Sequence, residues 1–248
     1  MELKNMFSNL NGSWVRWSDY RISDNHSVKY IMPSETATDL PYSCTSVPEQ
    51  MVVDALNLGK LVFEQKEDKD EVCLSFARKY GPLGVTPPVI SPLLRAGRDA
   101  DNCDGGTTPV YSGIFAKTYG EPLERYQDTL SILYMHFLLV KGQTDKLSQK
   151  EQEQLQKQEL TPEACGMNYR LTFGTPPQLV WEPENLLAVL KLSYALLITD
   201  PASPLKICKN CGEAYYNPNS RSEFCSVKCR NHYNVRAFRE RNKEKKIS

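Results

Sequence analysis

Residues 207–246 read ICKNCGEAYYNPNSRSEFCSVKCRNHYNVRAFRERNKEKK. Four of the chain's eight cysteines fall between positions 208 and 229, and a basic run follows at once. Cys208 and Cys211 form C-x2-C, with Gly212 next; Cys225 and Cys229 form C-x3-C. C-x2-C before a glycine is a tight knuckle that aims two sulfurs at one point. C-x3-C places sulfurs at i and i+4, one helical turn apart on one face. Between the pairs, residues 214–224 predict a short hairpin turning at Asn217-Pro218-Asn219. Knuckle, hairpin and a helix carrying the second pair make a treble-clef-like arrangement.

Tetrahedral Zn²⁺ with four thiolates at about 2.3 Å needs such a convergence, and a closed four-cysteine site is structural. It contributes on the order of 10 kcal/mol to folding a segment too short to hold itself. The competing reading is disulfides or unrelated buried cysteines, and an intracellular chain disfavours disulfides. One structural Zn²⁺ on Cys208, Cys211, Cys225 and Cys229 is therefore expected. His232 is a rival ligand, but four cysteines already complete the shell. The other cysteines, Cys44, Cys73, Cys103 and Cys165, are scattered, and Cys73 reads as core.

The chain has 248 residues and a formal net charge of zero, which hides an asymmetry. From 206 to 248 there are 11 Lys/Arg against four Glu, a local net charge of +7, so the first 205 residues sum to −7. An acidic body with a basic end suggests a division of labour. Hydrophobic content of 40% and charged content of 24% suit a soluble globular protein. The N-terminus lacks a secretory apolar region, and the longest apolar runs fall short of the roughly 20 residues of a membrane span. The expectation is a soluble, cytoplasmic chain.

The basic tail predicts a helix continuing to about Lys243. Arg230, Asn234, Ala237 and Arg241 share one stripe at i, i+4, i+7 and i+11. Val235 and Phe238 are expected to pack on Tyr215, Tyr216 and Phe224. Arg230, Asn231, Asn234, Arg236, Arg239, Arg241 and Lys243 are the candidate nucleic-acid contacts. Lys and Arg neutralise phosphates, and a helix fits the DNA major groove. The bland alternative is a solvated helix end, where cations meet the macrodipole and need no ligand. The interleaved aromatic platform of single-strand binders is missing from the tail.

FCSVKCRN, the preceding CKNCGEAYY and the basic helix resemble the CGNR zinc-finger family. So do Leu179-Val-Trp-Glu-Pro-Glu-Asn-Leu-Leu, Asp200-Pro201 and Leu74-Ser-Phe-Ala-Arg-Lys-Tyr-Gly-Pro-Leu-Gly, so that roughly half the chain takes part. Here Cys229-Arg230-Asn231-His232 stands where the family has Cys-Gly-Asn-Arg; Asn231 matches, Arg230 and His232 depart, and the C-x3-C spacing is tighter. The resemblance implies a bacterial or phage-related, nucleic-acid-binding, regulatory protein with a helical ABATE-like domain before the finger. Duplex DNA is preferred over RNA by this analogy.

The remaining sequence predicts a mainly α fold with minor β: a helical domain over 1–200, then the finger over 201–248. Residues 1–45, with Trp14, Trp17, Tyr20 and Tyr30, predict irregular structure or a small sheet on the body. Ser46-Val-Pro-Glu49 is a capping box opening a helix with Val52, Leu56, Gly59 and Phe63 on one face. A second helix runs from about Asp70 to Tyr80 and stops at Gly81-Pro82. Residues 81–113 predict a long loop with an acidic tip at 99–104, read as solvated. Pro122 opens a helix to Val140 that holds His136 at the core edge. Residues 141–162 predict an exposed helix or linker. Tyr169–Val180 predicts a hairpin, and 183–199 the most apolar helix, central to the core.

No P-loop, HExxH, GxSxG or GxGxxG is present, and there are three histidines, so no enzyme activity is expected. Three functions remain open: a nucleic-acid-binding regulator, a zinc-stapled protein-interaction module, and a carboxylate-metal nuclease or hydrolase. A homodimer and a small-molecule or protein ligand of the helical domain also stay open.

Overall fold

A computed structural model describes residues 13–25, 27–43, 48–85, 113–157, 167–183, 185–219 and 221–247. Among them the fold is mainly α with minor β. Helix α1 (Pro48–Phe63) buries Val52, Leu56 and Gly59 of the predicted face and half-buries Phe63. Helix α2 (Lys69–Tyr80) ends where Gly81 takes φ +91 and donates to Ala77 O at 2.7 Å. That positive φ is cheap only for glycine. Cys73 is fully buried inside α2, and burial pushes its thiol up to about 12, so it is core.

Helix α3 (Leu123–Val140) packs along α1. The approach is close because Gly59 has no side chain: a Cβ there would collide with Leu130 O and lie 2.8 Å from its carbonyl carbon. Leu130, Tyr134, Phe137 and Leu138 of α3 are buried around this crossing. Each such side chain contributes about 1.5–3 kcal/mol relative to exposure. His136 is half-buried at the edge, Nδ1 2.7 Å from Tyr194 Oη. Helix α4 is Gln149–Lys157, and α5 is Leu186–Thr199. Asn185 caps α5, its side chain accepting from Ala188 N at 2.8 Å. α5 packs on α1 and buries Leu186, Val189, Leu190 and Leu197.

The small strands are β1 (Ser13–Trp17), β2 (Tyr20–Asn25), β3 (Val28–Pro33), β4 (Asp39–Ser43) and β5 (Glu121–Pro122). β1 pairs antiparallel with β4, and β2, β3 and β5 form a second antiparallel sheet. Trp17, Tyr20 and Ile31 enter the helical core, so the predicted sheet does pack on the body. Arg78 of α2 ties it down by donating to Asp19 Oδ1 at 2.8 Å. β6 (Met167–Thr172) and β7 (Gln178–Pro183) form the predicted antiparallel hairpin.

Two expectations are corrected. The most apolar helix starts at 186, not 183, because Pro183 completes β7 and Asn185 supplies the cap. Residues 141–157 are not simply exposed: Leu147 and Leu155 are buried in the core cluster and anchor α4. Cys44, Ser46, Cys103, Cys165 and the acidic tip at 99–104 lie outside the described residues, as does loop 86–112. Among the described residues, no helix is long and apolar enough to cross a membrane.

Candidate metal centre

Strands β8 (Leu205–Ile207) and β9 (Ala214–Tyr216) pair antiparallel, and the Cys208–Gly212 knuckle is the turn between them. The knuckle closes on itself: Gly212 N donates to Cys208 O and Cys208 N to Glu213 O, both at 2.9 Å. Gly212 sits at φ +72, which explains a glycine after Cys211. The sequence placed the hairpin after the knuckle; the paired strands instead flank it. No strand lies among the described residues from 217 to 226. Tight side-chain turns hold that stretch, with Asn219 N on Asn217 Oδ1 at 2.8 Å and Arg221 N on Asn219 Oδ1 at 3.0 Å. Tyr215 Oη donates to Ser222 O at 2.9 Å, and Lys206 Nζ reaches Asn219 O and Ser222 O.

Helix α6 spans Val227–Ile247. Cys225 therefore precedes the helix, which corrects the expectation of two cysteines one helical turn apart. Ser226 is the cap: Cys229 N donates to its Oγ at 3.2 Å and Arg230 N to its carbonyl at 3.1 Å. The cap lets the chain turn sharply, and Cys225 Sγ still lies 3.5 Å from Cys229 Sγ.

The four sulfurs of Cys208, Cys211, Cys225 and Cys229 all lie within 4.8 Å of one another. Cys211 Sγ is 3.8 Å from Cys225 Sγ. A tetrahedron with metal–sulfur bonds of about 2.3 Å has sulfurs about 3.8 Å apart, so this donor set fits a tetrahedral, thiolate-binding ion. Cys208 is buried, which opposes its thiolate. Backbone N–H groups of Cys211, Cys225 and Asn210 outweigh that and lower the thiol to about 7. Burial and the neighbouring Cys208 and Cys225 sulfurs push Cys211 the other way. Four thiolates this close need a cation to ionise together, a charge that a metal ion held by the four sulfurs would supply. His232 is exposed and outside the cluster.

One contact was not legible in the sequence. Asn57 of α1 donates to Ala214 O at 3.0 Å and accepts from Ala214 N at 2.7 Å. The β9 backbone is thus paired to a body helix, and Leu205 and Ala214 are buried in the main core. Asn57 reads in sequence as one more polar residue on an amphipathic helix. Only the fold brings it to a position 157 residues away.

Beyond its root, α6 carries no buried residue among positions 227–242. Cys229, Tyr233 and Ala237 are half-buried, and the Tyr233 ring stands 5.3 Å from Phe224. Val235 and Phe238 were expected to pack on the finger aromatics; they are 49% and 60% exposed instead. At 3.6 residues per turn they point away from the stripe whose Tyr233 ring meets Phe224. Arg230, Asn231, Asn234, Arg236, Arg239 and Arg241 are all exposed, and Lys243 follows on the same helix. Arg236 pairs with Glu240 at 3.9 Å, and Arg241 Nε donates to Ala237 O at 3.2 Å.

No protein-family model, curated protein or solved structure matches the chain. The likeness to CGNR proteins rests on the quoted motifs alone.

Proposed function

We propose that this chain is a nucleic-acid-binding regulatory protein whose target is duplex DNA. One structural Zn²⁺ on Cys208, Cys211, Cys225 and Cys229 fixes the root of α6, and α6 supplies the contacts. The observation that carries this reading is the exposure of the α6 cations on a helix rooted in the sulfur cluster. A helix that packs on little is marginal in water, and cations crowded along it repel one another. A polyanion offsets that repulsion and gives the helix a surface to lie on. The body's net charge of −7 disfavours its own contact with phosphates and leaves the finger as the docking end, since its +7 falls by only about two when four thiolates bind Zn²⁺. Regulation extends the motif resemblance, a cytoplasmic site of action extends the sequence reading, and a signal sensed by residues 1–200 and dimerisation complete the proposal.

A second reading is favoured by the Asn57–Ala214 pair and by burial of Leu205 and Ala214. There the zinc knuckle staples the C-terminus onto α1 and serves folding or protein assembly. Alanine at Arg230, Arg236, Arg239 and Arg241 separates the two. With zinc content and helicity retained, the nucleic-acid reading expects loss of duplex binding in fluorescence anisotropy. Unaltered binding, or none by the parent protein, favours the staple.

A further inference from the structure

At about 100° per residue, the side chains of α6 sort into sectors around its axis. Cys229, Tyr233 and Ala237 form the half-buried stripe turned to the finger. Opposite them, Val227, Asn231, Asn234, Val235, Phe238 and Asn242 share a sector about 100° wide. Every one of the six is exposed, Val227 at 63% and Phe238 at 60%. Cations border this sector on both edges. Arg230 and Arg241 lie on one side, Lys228 and Arg239 on the other, all exposed.

This pattern serves neither helix stability nor the fold. Asparagine is a poor helix former, and three of them on one exposed face weaken the helix. Exposed Val and Phe beside them gain nothing from water. The pattern does match a groove with anionic walls. A helix is about 10–12 Å across with its side chains, and the DNA major groove is about 12 Å wide. Asparagine pairs bidentately with adenine N6 and N7, and apolar side chains meet the thymine methyl. From Asn231 to Phe238 the helix advances about 10 Å, or about three base pairs.

We infer that the Asn231–Asn234–Val235–Phe238 sector of α6 reads base edges in the major groove of duplex DNA. Arg230 and Arg241 reach the phosphates of one wall, and Lys228 and Arg239 those of the other. The preferred word contains A·T pairs over about three to five positions. This inference rests on the nucleic-acid reading of α6 and adds the groove, the register of contacts and the base class.

The test uses the full-length, zinc-loaded protein and duplexes with eight randomised central base pairs. The bound fraction is sequenced. An enriched A·T-containing word is expected, preferred over a scrambled duplex by a ratio that falls roughly 5- to 150-fold in N231A/N234A/F238A. K228A/R239A is expected to lower affinity for both duplexes by the same factor. Zinc content and helicity verify that each variant folds. Binding without enrichment, or an enriched word that survives the triple variant, overturns this inference and leaves the nucleic-acid reading intact. Single-stranded RNA that outcompetes the selected duplex also overturns it, as does a protein dimer dissolved by F238A. No duplex binding at low salt overturns both.

Discussion

Glu121 is fully buried on β5, where its carboxylate accepts Leu83 N at 2.8 Å and Val85 N at 2.6 Å. Burial outweighs those bonds and raises its carboxyl from 4.5 to about 7. Folding therefore shifts this group toward its neutral form relative to the unfolded chain. Its contribution to stability is full below about 4.5 and is lost as pH rises through about 7. The account predicts that the stability gap between wild type and Glu121→Gln, measured by urea unfolding, changes by on the order of 3 kcal/mol across that window. A gap that stays constant with pH contradicts it. Nothing in the sequence marks Glu121, since a glutamate before Pro122 reads as an acid at a helix start. The cysteines were legible because metal geometry constrains spacing; Glu121 and Asn57 were not, because their partners are set by the tertiary fold.

At the scale of elements, Gly59 decides how closely α1 and α3 approach. Alanine would favour an isolated helix by about 1 kcal/mol. Here its Cβ meets Leu130 backbone and lies 3.0 Å from Tyr134 Cβ. Gly59→Ala is expected to destabilise by about 1–3 kcal/mol, lowering the urea midpoint. A raised midpoint would mean that the crossing is looser than described. The main helices were legible because apolar periodicity, Pro and Gly mark them. The anchoring of α4 is legible in part. Ser148 and Glu151 form a capping box, Glu151 Oε2 accepting from Ser148 N at 2.7 Å. The one buried leucine of α4, Leu155, and Leu147 just before it are too few for a periodic signal. The start of α6 was misread because Ser226 caps it between the two cysteines, and spacing alone does not distinguish a capped turn from a continuous helix.

For the whole molecule, the finger's hairpin and the body share one core through Leu205, Ala214 and Asn57. Metal removal should therefore be felt beyond the finger. Chelation is expected to lower the Tm of the full chain, at roughly 2–4 °C for each kcal/mol lost. An unchanged melting curve after verified zinc loss would show that the sulfur cluster does not support the body. Mainly α architecture and a C-terminal four-cysteine site were both legible from the chain. The way they join was not, because a side-chain amide pairing with a distant backbone leaves no pattern in sequence.

The central claim, that α6 is a nucleic-acid contact held by the cysteine cluster, is tested most directly by a salt titration. Full-length, zinc-loaded protein is titrated on a labelled DNA duplex from low to moderate salt. Four phosphate contacts predict a log–log slope of about −3.6, flattening in the Lys228, Arg230, Arg239 and Arg241 alanine variant. Absence of duplex binding at low salt, or a slope unchanged by those four substitutions, would contradict the account.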